Sequence, residues 1–370
     1  MKTKIVAMYL PQYHSIPEND MFWGKGFTDW VSVKKSKPLY KGHNQPRVPL
    51  SGEYYDLSHK ESIALQAAMA KKYGVHGFGI YHYWFNNEKN LLTKPAEILL
   101  ENSDIDINFF FAWDNISWKR SWSNVKGNDW NPIQDDGNKK QKGPAVLIPY
   151  ILGEEKEWQK HFEYLLPYFK DNRYIKVDNK PIFVIYHYAN ELLRMADYWN
   201  QKAREHGFNG VQCIYRYDKT LKIPESEMVF TYEPASSAWG SIWERGISKL
   251  AKYLKIREGL KRYDYDKVWK KILKNASKHS ELNHIPGAFV SYDDTPRRGS
   301  KGKVVVNVNP SKFRKNLELL IRINEQQNKD FIFLTAWNEW GEGAYLEPDK
   351  INKYEYLESL KKALCNTNNL

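Results

Sequence analysis

The sequence predicts an α/β protein, a (β/α)₈ TIM barrel with long loops after its strands, and three observations lead there. Eight short apolar runs are spread along the 370 residues. The runs are continuous rather than strictly alternating, as expected of parallel strands buried on both faces. Helical sequence lies between most of them, and eight such alternations in one chain point to a barrel.

The predicted strands are, in order, Ile5–Leu10, Gly77–Trp84, Ile107–Trp113, Ile182–Tyr188, Val211–Tyr217, Met228–Glu233, Ala288–Tyr292 and Phe331–Ala336. Among the helices, Ser58 and Glu61 have the spacing of a capping box, opening a helix that Gly74 can close. GEEKEWQKHFEYLLPYF from Gly153 and ANELLRMADYWNQKAREHG from Ala189 carry helical apolar periodicity, as do Pro310 to Gln327 and Lys353 to Ala363. The first loop, Pro11 to Asp56, is rich in Gly, Pro and aromatics; the third, Asn115 to Gly143, carries Trp118, Trp122 and Trp130. No linker, repeat or low-complexity tract divides the chain. One barrel domain over 1–370 is expected, with a basic helical insertion at 235–285 after the sixth strand. A doubly wound sheet is the alternative, but no G-x-G-x-x-G or G-x-x-x-x-G-K-[ST] follows any strand.

Composition narrows the class. With 42% hydrophobic and 27% charged residues, the chain is globular rather than disordered. Two distant cysteines, Cys213 and Cys365, exclude a disulfide framework and a cysteine zinc site, and fit a reducing compartment. The apolar stretch in MKTKIVAMYLPQYH is too short for a signal peptide, and no run approaches the roughly 18 apolar residues of a membrane span. The expected location is therefore the cytoplasm. The net charge of +12 is concentrated: between Arg245 and Lys278, twelve Lys and Arg outnumber three Asp and Glu. Ile247, Leu250, Leu254, Val268 and Ile272 are spaced along it at near-helical intervals. Residues 245–278 read either as a basic helix resting on an anionic inner-membrane face or as a solvated insertion. No zinc-finger, RNP or helix-turn-helix pattern supports a nucleic-acid partner.

Barrel enzymes build their sites where strands end and loops begin. Those ends read PQYH, with Gln12 and His14; YHYW, with His82, Tyr83 and Trp84; WDN, with Trp113 and Asp114; and YHY, with His187. They continue as YRY, with Tyr215; YEP, with Tyr232 and Glu233; SYDD, with Asp293; and WNEWGEG, with Asn338 and Trp340. Aromatic faces beside polar tips suit sugar rings, which stack through C–H faces and hydrogen-bond through hydroxyls. These residues are the candidate substrate contacts. No close ligand spacing supports a metal, and no cofactor is expected. No G-x-S-x-G elbow supports serine chemistry, and Cys213 reads as core.

That leaves carboxylates. Cleaving a glycosidic bond commonly needs one acid to protonate the leaving oxygen and a second as base or nucleophile. Glu339 and Glu342 sit just past the eighth strand, where Gly341 and Gly343 permit a sharp turn. Close together among desolvating aromatics, one of them can stay protonated near neutral pH. The competing reading is an ion pair with a nearby Arg or Lys. Glu347, beside Pro348, reads as structural at least as readily.

YLPQYH, FTDW, QPRVPLSGEYYDL, YHYWF, FFFAWDN and AWNEWGEGAYLEPD follow one another along the chain. Together they resemble the WbsX-like family, labelled glycosyltransferases and found with bacterial surface-polysaccharide genes. That family is in turn similar to glycoside hydrolase family 99, the endo-α-1,2-mannanases and mannosidases. The resemblance implies a (β/α)₈ barrel and a retaining mechanism through a 1,2-anhydro sugar. By motif position, Glu339 would be the base that takes the sugar's 2-hydroxyl proton, and Glu342 the acid that later activates water. This chain has Gly341 where the hydrolases typically carry histidine, so mannose is not carried over. The function expected is a retaining glycoside hydrolase or transglycosidase acting on an oligosaccharide or lipid-linked glycan of the bacterial surface. The alternatives are a nucleotide-sugar-dependent glycosyltransferase and a non-catalytic glycan-binding barrel.

Overall fold

The computed structural model describes residues 2–119, 146–239 and 259–367. All eight predicted runs contain strands: β1 Lys4–Tyr9, β2 Gly77–Asn86, β3 Asn108–Trp113, β4 Lys180–Ile185, β5 Gln212–Arg216, β6 Met228–Phe230, β7 Gly287–Phe289 and β8 Phe331–Thr335. The helices used below are α1 Asp29–Lys35, α2 Lys60–Lys72, α3 Glu155–Lys170 and α4 Glu191–Glu205. They continue with α5 Tyr265–Lys278, α6 Thr295–Arg298, α7 Pro310–Gln326 and α8 Glu355–Thr367. These elements fall into two compact units.

One unit comprises Met8–Thr28 and Tyr55–Phe230. Its strands run parallel in the order β2-β3-β4-β5-β6, with Gly77 opposite Asn108, Phe111 opposite Phe183, Ile182 opposite Gln212 and Met228 opposite Ile214. Every residue of β2 from Gly77 to Phe85 is buried, as a strand covered on both faces requires. Across it, α3 and α4 lock together where Trp199 Nε1 donates to the Trp158 carbonyl at 2.9 Å. The predicted capping box does not form. Helix α2 begins one residue later, with His59 as N-cap and no side-chain cap. The Ser58 N–H is bound to Asp56 Oδ1 at 2.7 Å, a local side-chain bond that competes with the cap geometry.

The other unit comprises Met1–Ala7, Asp29–Tyr54 and Thr231–Leu370. Its parallel strands run β1-β8-β7, with Lys4 opposite Phe331 and Gly287 opposite Phe333. Asn309 caps α7 by accepting from the Lys312 N–H at 2.9 Å, and Pro310 fills the first turn, where a missing N–H costs nothing. Helix α5 is capped by Asp264 and buries Tyr265, Val268, Trp269, Ile272 and Ala276. Trp269 stacks on Phe289 with centroids 5.6 Å apart, and Tyr265 Oη donates to the Val290 carbonyl at 3.0 Å. The apolar stripe of the described part of this basic segment is thus spent inside its own unit, while Lys267, Lys270, Lys271, Lys274 and Lys278 stay exposed. The part of the predicted insertion at 240–258 lies outside the described residues, as do Trp122 and Trp130. No described helix is long and apolar enough to cross a membrane.

Candidate active site

After β8 the chain stays buried through Ala336 and Trp337. Asn338–Glu339 then pairs antiparallel with Ala344–Tyr345, so the segment between must reverse within a few residues. It does so through a 3-10 turn at Trp340–Glu342 and a left-handed residue, Gly343, at φ 55°. A side chain at that φ would be strained, which is why glycine stands there. Trp340 anchors the turn: its ring stacks on Tyr345 with centroids 3.8 Å apart and lies 5.4 Å from Trp30. Its Nε1 donates to Glu347 Oε2 at 2.6 Å, which gives Glu347 a structural partner. The turn presents Glu339, 4% exposed, three residues before Glu342.

Glu342 is held through one carboxyl oxygen. Arg297 Nη1 donates to its Oε1 at 2.7 Å, and the other oxygen makes no hydrogen bond among the described residues. Arg297 also binds Asp29 Oδ1, through Nη2 at 2.9 Å and Nε at 3.1 Å. Asp29 Oδ2 accepts the Gly341 N–H at 2.9 Å, closing the chain of contacts back onto the turn. This explains Gly341. A Cβ there would lie 2.5 and 2.6 Å from the Asp29 oxygens and 2.7 Å from Arg297 Nε. The room a histidine would need is filled by an aspartate–arginine pair.

The backbone of the turn is fixed by Asp293. Its N–H donates to the Glu342 carbonyl at 2.6 Å, while the Gly343 carbonyl accepts from Ser291 Oγ and from Arg47 Nη1. The Asp293 side chain is fully buried. Its Oδ2 accepts from His43 Nε2 at 2.8 Å and Gln45 Nε2 at 2.7 Å, with Arg47 Nη2 at 3.5 Å. Its Oδ1 accepts from Thr295 N and Oγ1. Because His43 Nδ1 accepts from the Leu39 N–H, its Nε2 carries the proton. Burial alone would push Asp293 up; the His43 bond, the Arg47 charge and the bonds from Thr295 and Gln45 outweigh it and hold the carboxyl well below the usual range. Asp294 behaves oppositely. Burial, and then the charge of Glu342, raise it to about 6 despite its pair with Arg298 Nε at 3.1 Å.

The same unit holds Tyr232, half-buried, and Glu233, 1% exposed. Ser237 donates to both Glu233 oxygens, through Oγ at 2.7 Å and N at 3.1 Å, and burial pushes the carboxyl up to about 8. Asn338 is fully buried. The remaining predicted contacts belong to the other unit. There Trp113 Nε1 donates to the Trp84 carbonyl at 2.8 Å, and Trp84 stacks on His161 at 4.4 Å. His82 Nε2 meets His161 Nε2 at 2.8 Å, and burial pulls His82 down to about 3, so this histidine is neutral. Tyr83 packs edge-on against Trp118 at 5.6 Å. Asp114 and His187 come together at 3.4 Å with side chains 22% and 39% exposed. Gln12 Oε1, His14 Nδ1 and Tyr215 Oη are buried polar atoms with no hydrogen-bond partner among the described residues. Burial also lowers His14. No group of three or more His, Cys, Asp or Glu among the described residues is arranged to hold a metal ion.

Asp29, His43, Gln45, Arg47 and Arg297 were not among the predicted site residues. Asp29 lies in FTDW, Gln45 and Arg47 in QPRVPLSGEYYDL, and Arg297 just beyond SYDD. FTDW and QPRVPLSGEYYDL carry the family resemblance, which was the available signal for Asp29, Gln45 and Arg47; His43 and Arg297 lie outside those stretches.

Comparison with known proteins fits this geometry. The family model described as "Glycosyltransferase WbsX" matches residues 5–360. The protein WxcX of Xanthomonas campestris pv. campestris (strain B100) is 28% identical over 97% of this chain and 49% of its own length. The chain thus spans about half the length of the curated relatives it matches. Among solved structures, the GH99 endo-α-mannosidase of Bacteroides thetaiotaomicron superposes with a TM-score of 0.55 at 15% identity, covering 99% of this chain and 97% of that one. A glycoside hydrolase-like protein gives 0.58 at 13% identity, covering 98% and 94%. At such identities the likeness shows the fold, which is α/β and TIM-barrel-like.

Proposed function

Because the chain belongs to the glycosyltransferase WbsX family, we propose that it is a carbohydrate-active enzyme, a retaining glycoside hydrolase or transglycosidase acting on a bacterial cell-surface glycan. One observation carries the reading. The turn after β8 holds Glu342 by a single carboxyl oxygen on Arg297 and leaves the other without a hydrogen bond among the described residues, three positions from Glu339. Asp293, by contrast, has both oxygens engaged.

In the proposed reaction Glu339 takes the proton of the sugar's own 2-hydroxyl as that oxygen attacks C1. The bond from C1 to the leaving oxygen breaks, and Glu342 protonates that oxygen, giving a 1,2-anhydro sugar. Water deprotonated by Glu342 then opens the ring at C1, and Glu339 returns its proton to O2. Two inversions give net retention. Arg297 serves both steps. It orients the carboxyl and, by a charge-assisted hydrogen bond, stabilises the carboxylate left when Glu342 gives up its proton. A sugar hydroxyl in place of water makes the same steps a transglycosylation.

The family's description favours a second reading, transfer from a nucleotide sugar. The deciding experiment incubates the full chain with O-antigen and capsular polysaccharides and with lipid-linked oligosaccharides, without nucleotide, and follows reducing ends and anomeric configuration by NMR. Release of a product with retained configuration supports hydrolysis. Turnover only on addition of a sugar nucleotide replaces it with transfer.

A further inference from the structure

We propose that the glycan carries an anionic group, a carboxylate or a phosphate, and that Lys303, Arg298 and the ring of Trp239 form the subsite that receives it. The proposal rests on the glycan reading above and names the substrate class it implies.

Trp239 is half-buried. Tyr292 and Tyr263 flank its ring at 4.7 and 5.5 Å, and Lys303 Nζ stands 4.5 Å above its centroid. Lys303 opens the strand Lys303–Val306, whose parallel pairing with Lys261–Asp264 sets Lys261 opposite it. This group is tied to the glutamate turn by short links. The Asp294 N–H donates to the Lys303 carbonyl at 3.1 Å, Asp294 pairs with Arg298, and Asp293 next to it binds the Glu342 carbonyl. Glu342 is close enough that its charge raises both Asp294 and Tyr292.

Exposure decides the sign that a ligand meets. The side chains of Asp29, Asp293 and Asp294 are 4%, 0% and 3% exposed, whereas that of Arg298 is 63% exposed. Apart from Glu342, the charge that these described side chains expose is positive. Lys303 has no carboxylate at ion-pair distance among the described residues. Burial pulls its pKa down, and the neighbouring Arg298 and Lys261 add to that, against the buried Asp294 and against Glu342. Crowding cations around a half-buried ammonium is unfavourable unless an anion joins them. The Arg298 pair engages Nε, leaving the two terminal nitrogens as donors for carboxylate or phosphate oxygens. A neutral sugar would gain nothing from these charges. The cations therefore select a substituent, not the ring.

Calorimetry on the full chain tests this with a galacturonic acid trisaccharide, glucose 1-phosphate and the neutral maltotriose. Wild type, Lys303→Met and Arg298→Gln are compared, after matched thermal unfolding shows each variant folded. At least one acidic probe should bind wild type about tenfold tighter than maltotriose, and each substitution should remove about tenfold from the acidic probe alone. Preference for the galacturonic acid probe assigns a sugar acid, preference for glucose 1-phosphate assigns a phosphate, and binding of both assigns their shared oxyanion. The subsite falls if neither acidic probe binds, if acidic and neutral probes bind alike, or if the substitutions weaken maltotriose equally. Nucleotide-free turnover of a glycan with no acidic preference would remove the subsite and keep the glycosidase. Charge-dependent binding without turnover of any glycan would do the reverse.

Discussion

Glu342 and Arg297 meet at 2.7 Å, yet they lie 45 positions apart in the chain, and Arg297 and Asp29 lie 268 apart. Contacts of that kind leave no local pattern, so the sequence pointed to the two glutamates and not to the arginine between Glu342 and Asp29. The ion pair that competed with the catalytic reading of the acids is present at Glu342, through Arg297. Glu339→Gln and Glu342→Gln should each lower turnover about 10²–10⁴-fold while leaving glycan affinity within a few-fold, read by steady-state kinetics and calorimetry. An unchanged kcat in Glu342→Gln would leave that residue only its structural pair. Gly341→Ala forces a Cβ to within 2.6 Å of both Asp29 oxygens. It should destabilise the fold by about 1–3 kcal/mol, as overpacking does, measured by urea unfolding.

At the scale of elements, the strands were legible because parallel strands buried on both faces read as unbroken apolar runs, and β2 and β8 are buried almost throughout. The strand-end residues were less so. The aromatic-plus-polar pattern of YHYW and WDN marked Trp84, Trp113 and His82, but pattern alone does not separate a ring that stacks on His161 from one that awaits a sugar. Glu233, just past β6, shows what burial does to such an acid. Its folded value of about 8 lies above the ordinary glutamate value, so the folded state holds that proton more tightly than the unfolded chain. The resulting stabilisation is complete below the unfolded value and is lost as pH rises through about 8. Glu233→Gln should therefore flatten the fall in Tm between pH 5 and 9, measured by differential scanning calorimetry. Identical pH dependence in variant and wild type would contradict the buried, protonated state.

For the whole molecule, a net charge of +12 sets behaviour that no single contact does. The described part of the basic segment keeps its lysines outward and its apolar stripe inside, so α5 has no apolar face left to insert into lipid. Attraction to an anionic surface, where it occurs, is electrostatic. Sedimentation with phosphatidylglycerol vesicles should show binding at low salt that is abolished near 0.15 M, where screening acts within about 8 Å. Binding that persists there would demand an inserted element beyond those described.

The glycine at 341 also constrains how this site can change. Positions 29, 297 and 341 share one small volume, so they form a single mutational unit rather than three independent ones. A histidine placed at 341 alone collides with the aspartate and arginine. Deleting the arginine first strands a buried aspartate charge, and deleting the aspartate first leaves the Gly341 N–H without its acceptor. Each single change thus carries its own structural cost. A larger side chain at 341 therefore requires positions 29 and 297 to change with it.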